Sequence, residues 1–371
     1  MAAISTWPFV SGCSVASAAP EGPEVVTILS SATANEPRPT LTSAALDVLT
    51  RAANSHNGIA IVISADGSQR MVLPLTPRRA DSEVEHGLMK RARIQENLRK
   101  VIEAVAAMQA SEPGLDLLDP MDRVTDGLPH GTLIVISNGL STAGAFDLRQ
   151  VGWNDDPAAI PGKLARSGLL PNLEGWHVLW IGLNQTAGNQ PKLTQPIRTT
   201  NYKYWRSICE ATGASSCTFD MAPIDPTPPT TITSSHVVPV PEVRSITGPQ
   251  PKWSVPTALF GFSGDSAVLG LGSEETLARL SASIVAAGAN RPDVTVTITG
   301  FTADPPGATY CQELALARAR AVVDGLRAMG ILTAFRPLGF GVPQGQTAMR
   351  NGVFDETVAD QMRRVEVEVS N

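Results

Sequence analysis

Apolar residues in the first 221 positions follow two periods in alternation, and this alternation predicts the fold. Short aliphatic runs such as 25–30, 59–64 and 132–137 are typical of strands buried on both faces of a sheet. Between them, apolar residues recur every three or four positions, as on the buried face of a helix. Strands are predicted at 25–30, 59–64, 71–75, 132–137, 177–183 and 217–220, and helices at 41–54, 82–110, 115–124, 158–167 and 198–212. We therefore expect residues 24–221 to form a three-layer α/β domain with a mostly parallel sheet.

A second, smaller arrangement is predicted for residues 254–371. Strands are expected at 256–262, 294–299, 333–340 and 363–369, and helices at 273–287 and 310–329. The order βαβαββ favours a small α+β domain with its helices on one face of the sheet. The segment 222–253 between the domains holds eight prolines from 223 to 251, which is typical of a semi-extended linker. A loop packed on one domain is the alternative for residues 237–240.

Charge and composition exclude several classes of function. The net charge of −6 argues against a nucleic-acid partner, which usually requires a basic surface. The five histidines show no HExxH spacing, and neither a G-x-S-x-G elbow nor a glycine-rich phosphate loop is found. We therefore expect a protein that is not an enzyme, with no cofactor and no metal site.

The four cysteines bear on the compartment. Cys209 and Cys217 are close enough in sequence to form a disulfide between a helix end and the next strand, which would indicate an oxidising compartment. Two buried thiols are the alternative. Val10-Ser11-Gly12-Cys13 resembles a bacterial lipobox, and residues 1–23 then form a signal and tether remnant with lipid attached at Cys13. A chance occurrence of that tetrapeptide is the alternative.

A charged residue, Arg318, interrupts the apolar face of the helix predicted at 310–329. The residues that share its arc are Leu314, Ala321, Val322 and Gly325. A guanidinium is rarely buried without a partner, because removing it from water is costly. Arg318 is therefore expected either to pair with an anion, with Asp304 as an obvious neighbour, or to reach a ligand.

Residues 255–371 resemble the OmpA-like C-terminal domain, a family that binds bacterial peptidoglycan non-covalently. The resemblance extends over the strand ending at Gly300-Phe301-Thr302, the Arg318-Ala319 pair, and the closing strand at Arg363-Arg364. It is also carried by Phe262, the turn 264–267, Tyr310, Leu314, Val322, Leu326, Gly339, Gly341, Val365 and Glu366. The family's ligand is the diaminopimelate of the stem peptide, which carries carboxylates and an ammonium.

The resemblance implies specific roles for residues of this chain. Arg318 is expected to hold a diaminopimelate carboxylate in a bidentate fork, and Asp304 to pair with the ammonium. The other residues expected at the site are Thr302, Tyr310, Leu314, Arg363 and Arg364. An ordinary surface arginine is the alternative for Arg318, a turn aspartate for Asp304, and solvated strand charges for Arg363 and Arg364.

The sequence departs from the family's pattern at several positions. The family's acid falls on Ala303 without a gap, and the acid here comes one residue later, before Pro305-Pro306. Cys311 and Met362 stand where the family favours asparagine. These departures put the affinity of the site in question.

The N-terminal domain weakly resembles a von Willebrand factor A-like domain through residues 134–142. Asp66-Gly67-Ser68 supplies only half of that family's cation loop, and Asn138 stands where an aspartate would help, so a Mg²⁺ site is poorly supported. The whole chain is interpreted as an OmpA-family envelope lipoprotein of actinobacterial type. It would be extracytoplasmic, periplasmic or tethered to a membrane through Cys13. We expect peptidoglycan anchoring through the C-terminal domain and interaction with another envelope protein through the N-terminal domain. The alternative is an envelope hydrolase in which the OmpA-like domain is only a wall anchor.

Overall fold

The structure is a computed structural model that describes residues 24–128, 130–230, 233–262, 264–303, 308–350 and 352–370. The strands are β1 (Val25–Ser30), β2 (Ile59–Ser64), β3 (Arg70–Pro74), β4 (Gly131–Ile136), β5 (Trp176–Ile181), β6 (Ser216–Asp220), β7 (Arg244–Ile246), β8 (Lys252–Pro256), β9 (Thr295–Phe301), β10 (Ala334–Gly341), β11 (Met349–Arg350), β12 (Val353–Phe354) and β13 (Arg364–Ser370). The α-helices are α1 (Ser43–Asn54), α2 (Gly87–Ala106), α3 (Leu118–Thr125), α4 (Leu148–Val151), α5 (Ile160–Arg166), α6 (Gln195–Ala211), α7 (Ser273–Ala286), α8 (Ala308–Ala328) and α9 (Glu356–Met362).

A six-stranded sheet in the order β3-β2-β1-β4-β5-β6 organises the N-terminal part. All neighbouring strands pair in parallel except β3, which forms an antiparallel edge with β2. Chain order reverses between β1 and β4, and a doubly wound sheet usually binds its ligand at the carboxyl end of such a reversal. The fold class expected from the sequence is confirmed for this part of the chain.

Helices cover both faces of this sheet, as expected for strands buried on both sides. Val26 and Ile28 of β1 face a core that includes apolar residues of α1 and α2. Val25 and Leu29 point the other way, into a core with residues of α3, α5 and α6. This second core continues without a break into the C-terminal part, where it includes Val296 of β9. The two parts therefore share one hydrophobic core.

The C-terminal part contains a five-stranded sheet in the order β10-β9-β13-β8-β7. Strand β9 pairs in parallel with β10 and antiparallel with β13, and α8 packs on β9 and β10. The strand predicted at 256–262 is wrong for Thr257–Phe260, which form a 3₁₀ helix whose four residues are all buried. A continuous apolar run does not by itself distinguish a buried strand from a buried helical turn.

The Pro-rich segment 222–253 packs on both parts of the molecule where the structure describes it. Gln190 donates to the carbonyl of Val238 and accepts from its N–H, both at 2.9 Å, and Val238 is fully buried. The Nε1–H of Trp153 donates to the carbonyl of Pro239 at 2.8 Å. Strand β7 lies inside this segment and pairs with β8. Residues 237–240 are therefore a packed loop, which was the alternative to a semi-extended linker for this part of the segment.

Cys209 and Cys217 form a disulfide with a Cα–Cα distance of 6.2 Å, as the sequence predicted. The bond joins the last turn of α6 to β6, so it fastens an edge strand to the helix that follows β5 along the chain. The lipidation predicted at Cys13 lies outside the described residues. Among the described helices, none combines the length and the apolar run that a membrane crossing needs.

We predict that the double substitution Cys209→Ala/Cys217→Ala lowers the free energy of unfolding by roughly 2 to 3 kcal/mol, because the unfolded chain regains the entropy of a short closed loop. Urea unfolding followed by circular dichroism measures this change. Wild-type protein treated with dithiothreitol should lose the same amount, and the double variant should not respond to the reductant. Equal stability of oxidised wild type and variant would contradict the prediction.

Candidate functional site

Arg318 lies on α8, in the stripe of that helix that packs on the second sheet. Ala315, Ala319 and Val322 of the same stripe are fully buried, and Arg318 itself is only 3% exposed. The helix can approach the sheet closely because β9 has a glycine beneath it. A Cβ at Gly300 would lie 2.1 Å from the carbonyl oxygen of Ala315, which no side chain allows. The charged group is therefore held inside the domain by close helix–sheet packing.

Backbone carbonyls of the loop after Phe262 hold the guanidinium. Arg318 donates from Nε to the carbonyl of Ser266 at 3.0 Å and from Nη2 to that of Gly264 at 2.5 Å. Its Cζ lies 5.4 Å from the centre of the Phe262 ring, a cation–π distance. No described residue accepts a hydrogen bond from Nη1. Because guanidinium carries five N–H groups, the site retains donors for another acceptor.

The charge of Arg318 is not neutralised by any ion pair within the described residues. Burial lowers the pKa of Arg318 to about 10, and repulsion from Arg363 acts in the same direction. The negative charge of Asp265, and that of Tyr310 when it is ionised, raise the pKa of Arg318. They do not fully offset the effect of burial. The group therefore stays protonated at neutral pH, buried beside neutral carbonyls. Such a cation is expected to attract an anionic ligand.

Three other residues expected at the site have different environments. Thr302 follows β9 and is buried, and its Oγ1 has no hydrogen-bond partner among the described residues. Tyr310 is 41% exposed, and its partial removal from water together with the negative charge of Asp265 raises its pKa. Leu314 is half-buried on α8. Asp265 was not among the predicted site residues, and it places a carboxylate in the loop that holds Arg318, between Gly264 and Ser266.

The structure says nothing of Asp304, which lies outside the described residues. Ala303, where the family has its acid, packs against a small cluster formed by Ala348, Ala359 and Met362. This position therefore contributes an apolar contact and supplies no carboxylate.

Arg363 and Arg364 are both engaged by carboxylates of the protein. Arg363 pairs with Glu356, and with Asp360 at 3.2 Å, both on α9. Arg364 lies on β13, donates to Glu366 at 2.9 Å, and covers the ring of Phe301 at 4.4 Å. These arginines are therefore part of the structure around Arg318, and Arg363 affects that residue through its charge.

The residues considered for a cation in the N-terminal domain are committed to other contacts. Asp66 accepts from Ser64, Ser68 and Ser111, and these hydrogen bonds lower its pKa despite partial burial. The Oδ1 of Asn138 accepts from the N–H of Leu140 at 2.8 Å. The described residues bring together no group of three His, Cys, Asp or Glu side chains that could hold a metal ion.

A buried carboxylate at the carboxyl end of β1 was missed by sequence reasoning. Glu36 is 2% exposed and accepts five hydrogen bonds. The donors are the hydroxyls of Ser31, Thr33 and Ser137 and the N–H groups of Thr33 and Asn138. They join the loops after β1 and β4, so Glu36 has a structural role where the chain order reverses.

The contact between Asn154 and Asp360 was also missed. The Nδ2 of Asn154 donates to Oδ1 of Asp360 at 2.5 Å, across 206 positions of sequence. The N–H of Trp153 donates to the other carboxylate oxygen at 3.1 Å. Neither residue belongs to a motif, and only the packing of the two domains brings them together.

Residues 261–353, about a quarter of the chain, match the sequence model of the OmpA family. A MotB-like protein from Desulfovibrio vulgaris is 22% identical, with 35% of this chain and 81% of that one covered and a TM-score of 0.28. The OmpA-like domain of FopA1 from Francisella tularensis is 22% identical, with 36% and 84% covered and a TM-score of 0.24. The cell wall anchor of the T6SS from Pseudomonas aeruginosa is 19% identical, with 34% and 86% covered and a TM-score of 0.27. No curated protein matches this chain.

We predict that Gly300→Ala lowers the free energy of unfolding by roughly 2 to 4 kcal/mol, since its Cβ forces α8 away from β9. Thermal and urea unfolding measure the loss. Gly162→Ala in α5 is the matched control, because its Cβ meets nothing closer than 3.5 Å and alanine favours a helix. Gly300→Ala protein as stable as the control would contradict the packing described for Arg318.

Proposed function

Because residues 261–353 form an OmpA-family domain, we propose that this chain binds peptidoglycan non-covalently through that domain. The carboxylate of a diaminopimelate stem is held by the Arg318 guanidinium in this proposal. The ammonium of the same residue pairs with Asp304, as the family resemblance implies. Thr302, Tyr310 and Leu314 line the same site, and Arg363 and Arg364, each paired with carboxylates of the protein, lie around it.

The buried and unneutralised charge of Arg318 carries this proposal. Arg318 is 3% exposed, and among the described residues only two carbonyls and an aromatic ring hold it, so this cation gains from an anionic ligand. Carboxylates fit the planar fork of a guanidinium with two parallel hydrogen bonds. The donors of Nη1, which no described residue engages, are suited to that contact. The hydroxyl of Thr302, which has no hydrogen-bond partner in the described part of the chain, supplies a further polar group near the end of β9.

We propose an extracytoplasmic location in the cell envelope for the same protein. The Cys209–Cys217 disulfide supports this location, because such bonds persist in oxidising compartments. The lipid attachment at Cys13 remains part of the proposal, and mass spectrometry of the mature N-terminus tests it. The N-terminal domain serves as a protein-interaction module for another envelope component, and its von Willebrand factor A-like character stays a prediction.

We predict that Arg318→Lys in the full chain weakens binding to diaminopimelate-containing peptidoglycan by at least about tenfold, because lysine keeps the charge but loses the bidentate fork. Cosedimentation with insoluble peptidoglycan, quantified over a range of protein concentrations, measures the affinity. Arg320→Lys is the matched control, since Arg320 is an exposed arginine two positions later on the same helix.

The ligand itself offers a second control that does not depend on how a variant folds. Peptidoglycan with lysine in place of diaminopimelate lacks the side-chain carboxylate, so the wild-type chain should bind it weakly. Equal binding of both peptidoglycans, or of Arg318→Lys and wild type, would rule out carboxylate recognition by Arg318.

A further inference from the structure

The loop that holds Arg318 borders the N-terminal domain. The N–H of Gly264 donates to the carbonyl of Asn154 at 3.4 Å, and the carbonyl of the same glycine accepts from Arg318 at 2.5 Å. One peptide segment of the C-terminal domain is thus placed between the guanidinium and the N-terminal domain. A displacement of Asn154 is expected to reach Arg318 through this segment.

The side chain of Asn154 makes two further contacts across the domain boundary. Its Oδ1 accepts from Oγ1 of Thr257 at 2.9 Å, and its Nδ2 donates to Asp360 at 2.5 Å. Asn154 is 8% exposed, so these hydrogen bonds are shielded from water. The amide therefore fixes two elements of the C-terminal domain, the 3₁₀ turn and α9, relative to each other.

The backbone beside Asn154 is shaped to receive the Asp360 carboxylate. Gly152 has a φ of 73°, and a Cβ on it would lie 2.2 Å from Oδ2 of Asp360. The N–H of Trp153 then donates to that oxygen at 3.1 Å. Only glycine allows this approach, which indicates a close and specific contact between the domains.

Asp360 in turn affects the positive charge of Arg363, which acts on Arg318. It pairs with Arg363 at 3.2 Å, and Arg363 also pairs with Glu356. Arg363 lowers the pKa of Arg318, so the two guanidinium groups repel each other. Hydrogen bonds from Asn154 and Trp153 favour the ionised form of Asp360, against the effect of its burial. The N-terminal domain thereby helps to keep Arg363 neutralised and turned to α9.

We propose that Asn154 and Trp153 of the N-terminal domain are positioning residues of the peptidoglycan site, so that the two domains bind the wall as one unit. This inference rests on the proposed function and adds the domain contact to it. The backbone carbonyl of Asn154 contacts the loop that holds Arg318, and the side-chain amide of Asn154, which fixes that backbone in place, secures the Asp360–Arg363 pair together with Trp153. A wall anchor of this kind needs the N-terminal domain for full affinity.

The test uses the full chain with the substitution Asn154→Ala. Glu275→Ala is the matched control, because Glu275 accepts from the N–H of Gln195 at 3.0 Å in a different contact between the same domains. Asn154→Ala should bind diaminopimelate-containing peptidoglycan about three- to tenfold more weakly than wild type, and Glu275→Ala should bind like wild type. Thr257→Val, which removes one partner of Asn154 at nearly constant volume, should weaken binding in the same direction if Asn154→Ala fails to fold.

Two readouts separate this inference from the proposed function. In protein with ¹⁵N-labelled arginine, the Nε–H resonance of Arg318, assigned by its loss in Arg318→Lys, should shift in Asn154→Ala and stay in place in Glu275→Ala. In the Arg318→Lys background, Asn154→Ala should weaken binding no further. If Asn154→Ala binds like wild type while Arg318→Lys does not, the inference is wrong and the proposed function stands. If Arg318→Lys also binds like wild type, the proposed function fails as well.

Discussion

A buried arginine without a carboxylate partner in the described residues is the constraint on which the C-terminal domain depends. Removing a guanidinium from water costs several kcal/mol, and neutral carbonyls return only part of that cost. Arg318 is held by the carbonyls of Gly264 and Ser266 and by the Phe262 ring, so the loop after the 3₁₀ turn has to follow one path. The helix that carries Arg318 reaches this loop only because Gly300 leaves room for it. The path of the loop and the close packing of the helix on the sheet thus both serve to hold the guanidinium of Arg318.

The two domains are joined by a shared core and by the segment between them. A single hydrophobic core includes residues of α6 in the first domain and of β9 and α8 in the second. The Pro-rich segment between them follows the surface and supplies β7 to the second sheet, where it pairs with β8. A domain joined in this way keeps its orientation relative to Arg318 and the loop that holds it.

Part of the crevice at the carboxyl ends of β1 and β4 is filled by the chain itself. Asn35 donates to the carbonyls of Ser235 and His236, and the N–H of His236 donates to Pro113. The cavity that remains beneath these residues has a volume of about 10 Å³. A space of that size holds at most one water molecule. A neighbouring cavity of about 340 Å³ is lined by Ser31 and Thr33 after β1 and by Ala143 after β4.

The position of Arg318 in a buried stripe of α8 could be predicted because it depends on local pattern. Helical periodicity places Arg318 among apolar residues whatever the rest of the chain does, and the short spacing from Gly300 to Val322 preserves the family's arrangement. The residue that matches the acid expected from the family resemblance was harder to predict. Asp304 and Ala303 differ by one residue, and the packing of Ala303 in an apolar cluster depends on α9, which the sequence pattern did not reveal.

The sequence by itself determined the alternation of strands and helices in the first domain and the charged residue in a buried stripe of the second. These depend on residue periodicity, which acts over a few positions. Tertiary structure decided that Thr257–Phe260 form a helical turn and that the Pro-rich segment is packed. It also decided that Arg363 pairs with the carboxylates of Glu356 and Asp360, and that Asp360 accepts a hydrogen bond from Asn154. Those outcomes depend on contacts between residues that are distant in sequence, such as Asn154 and Asp360, which are 206 positions apart. A local sequence pattern does not specify which distant residue will form a hydrogen bond with a buried polar group.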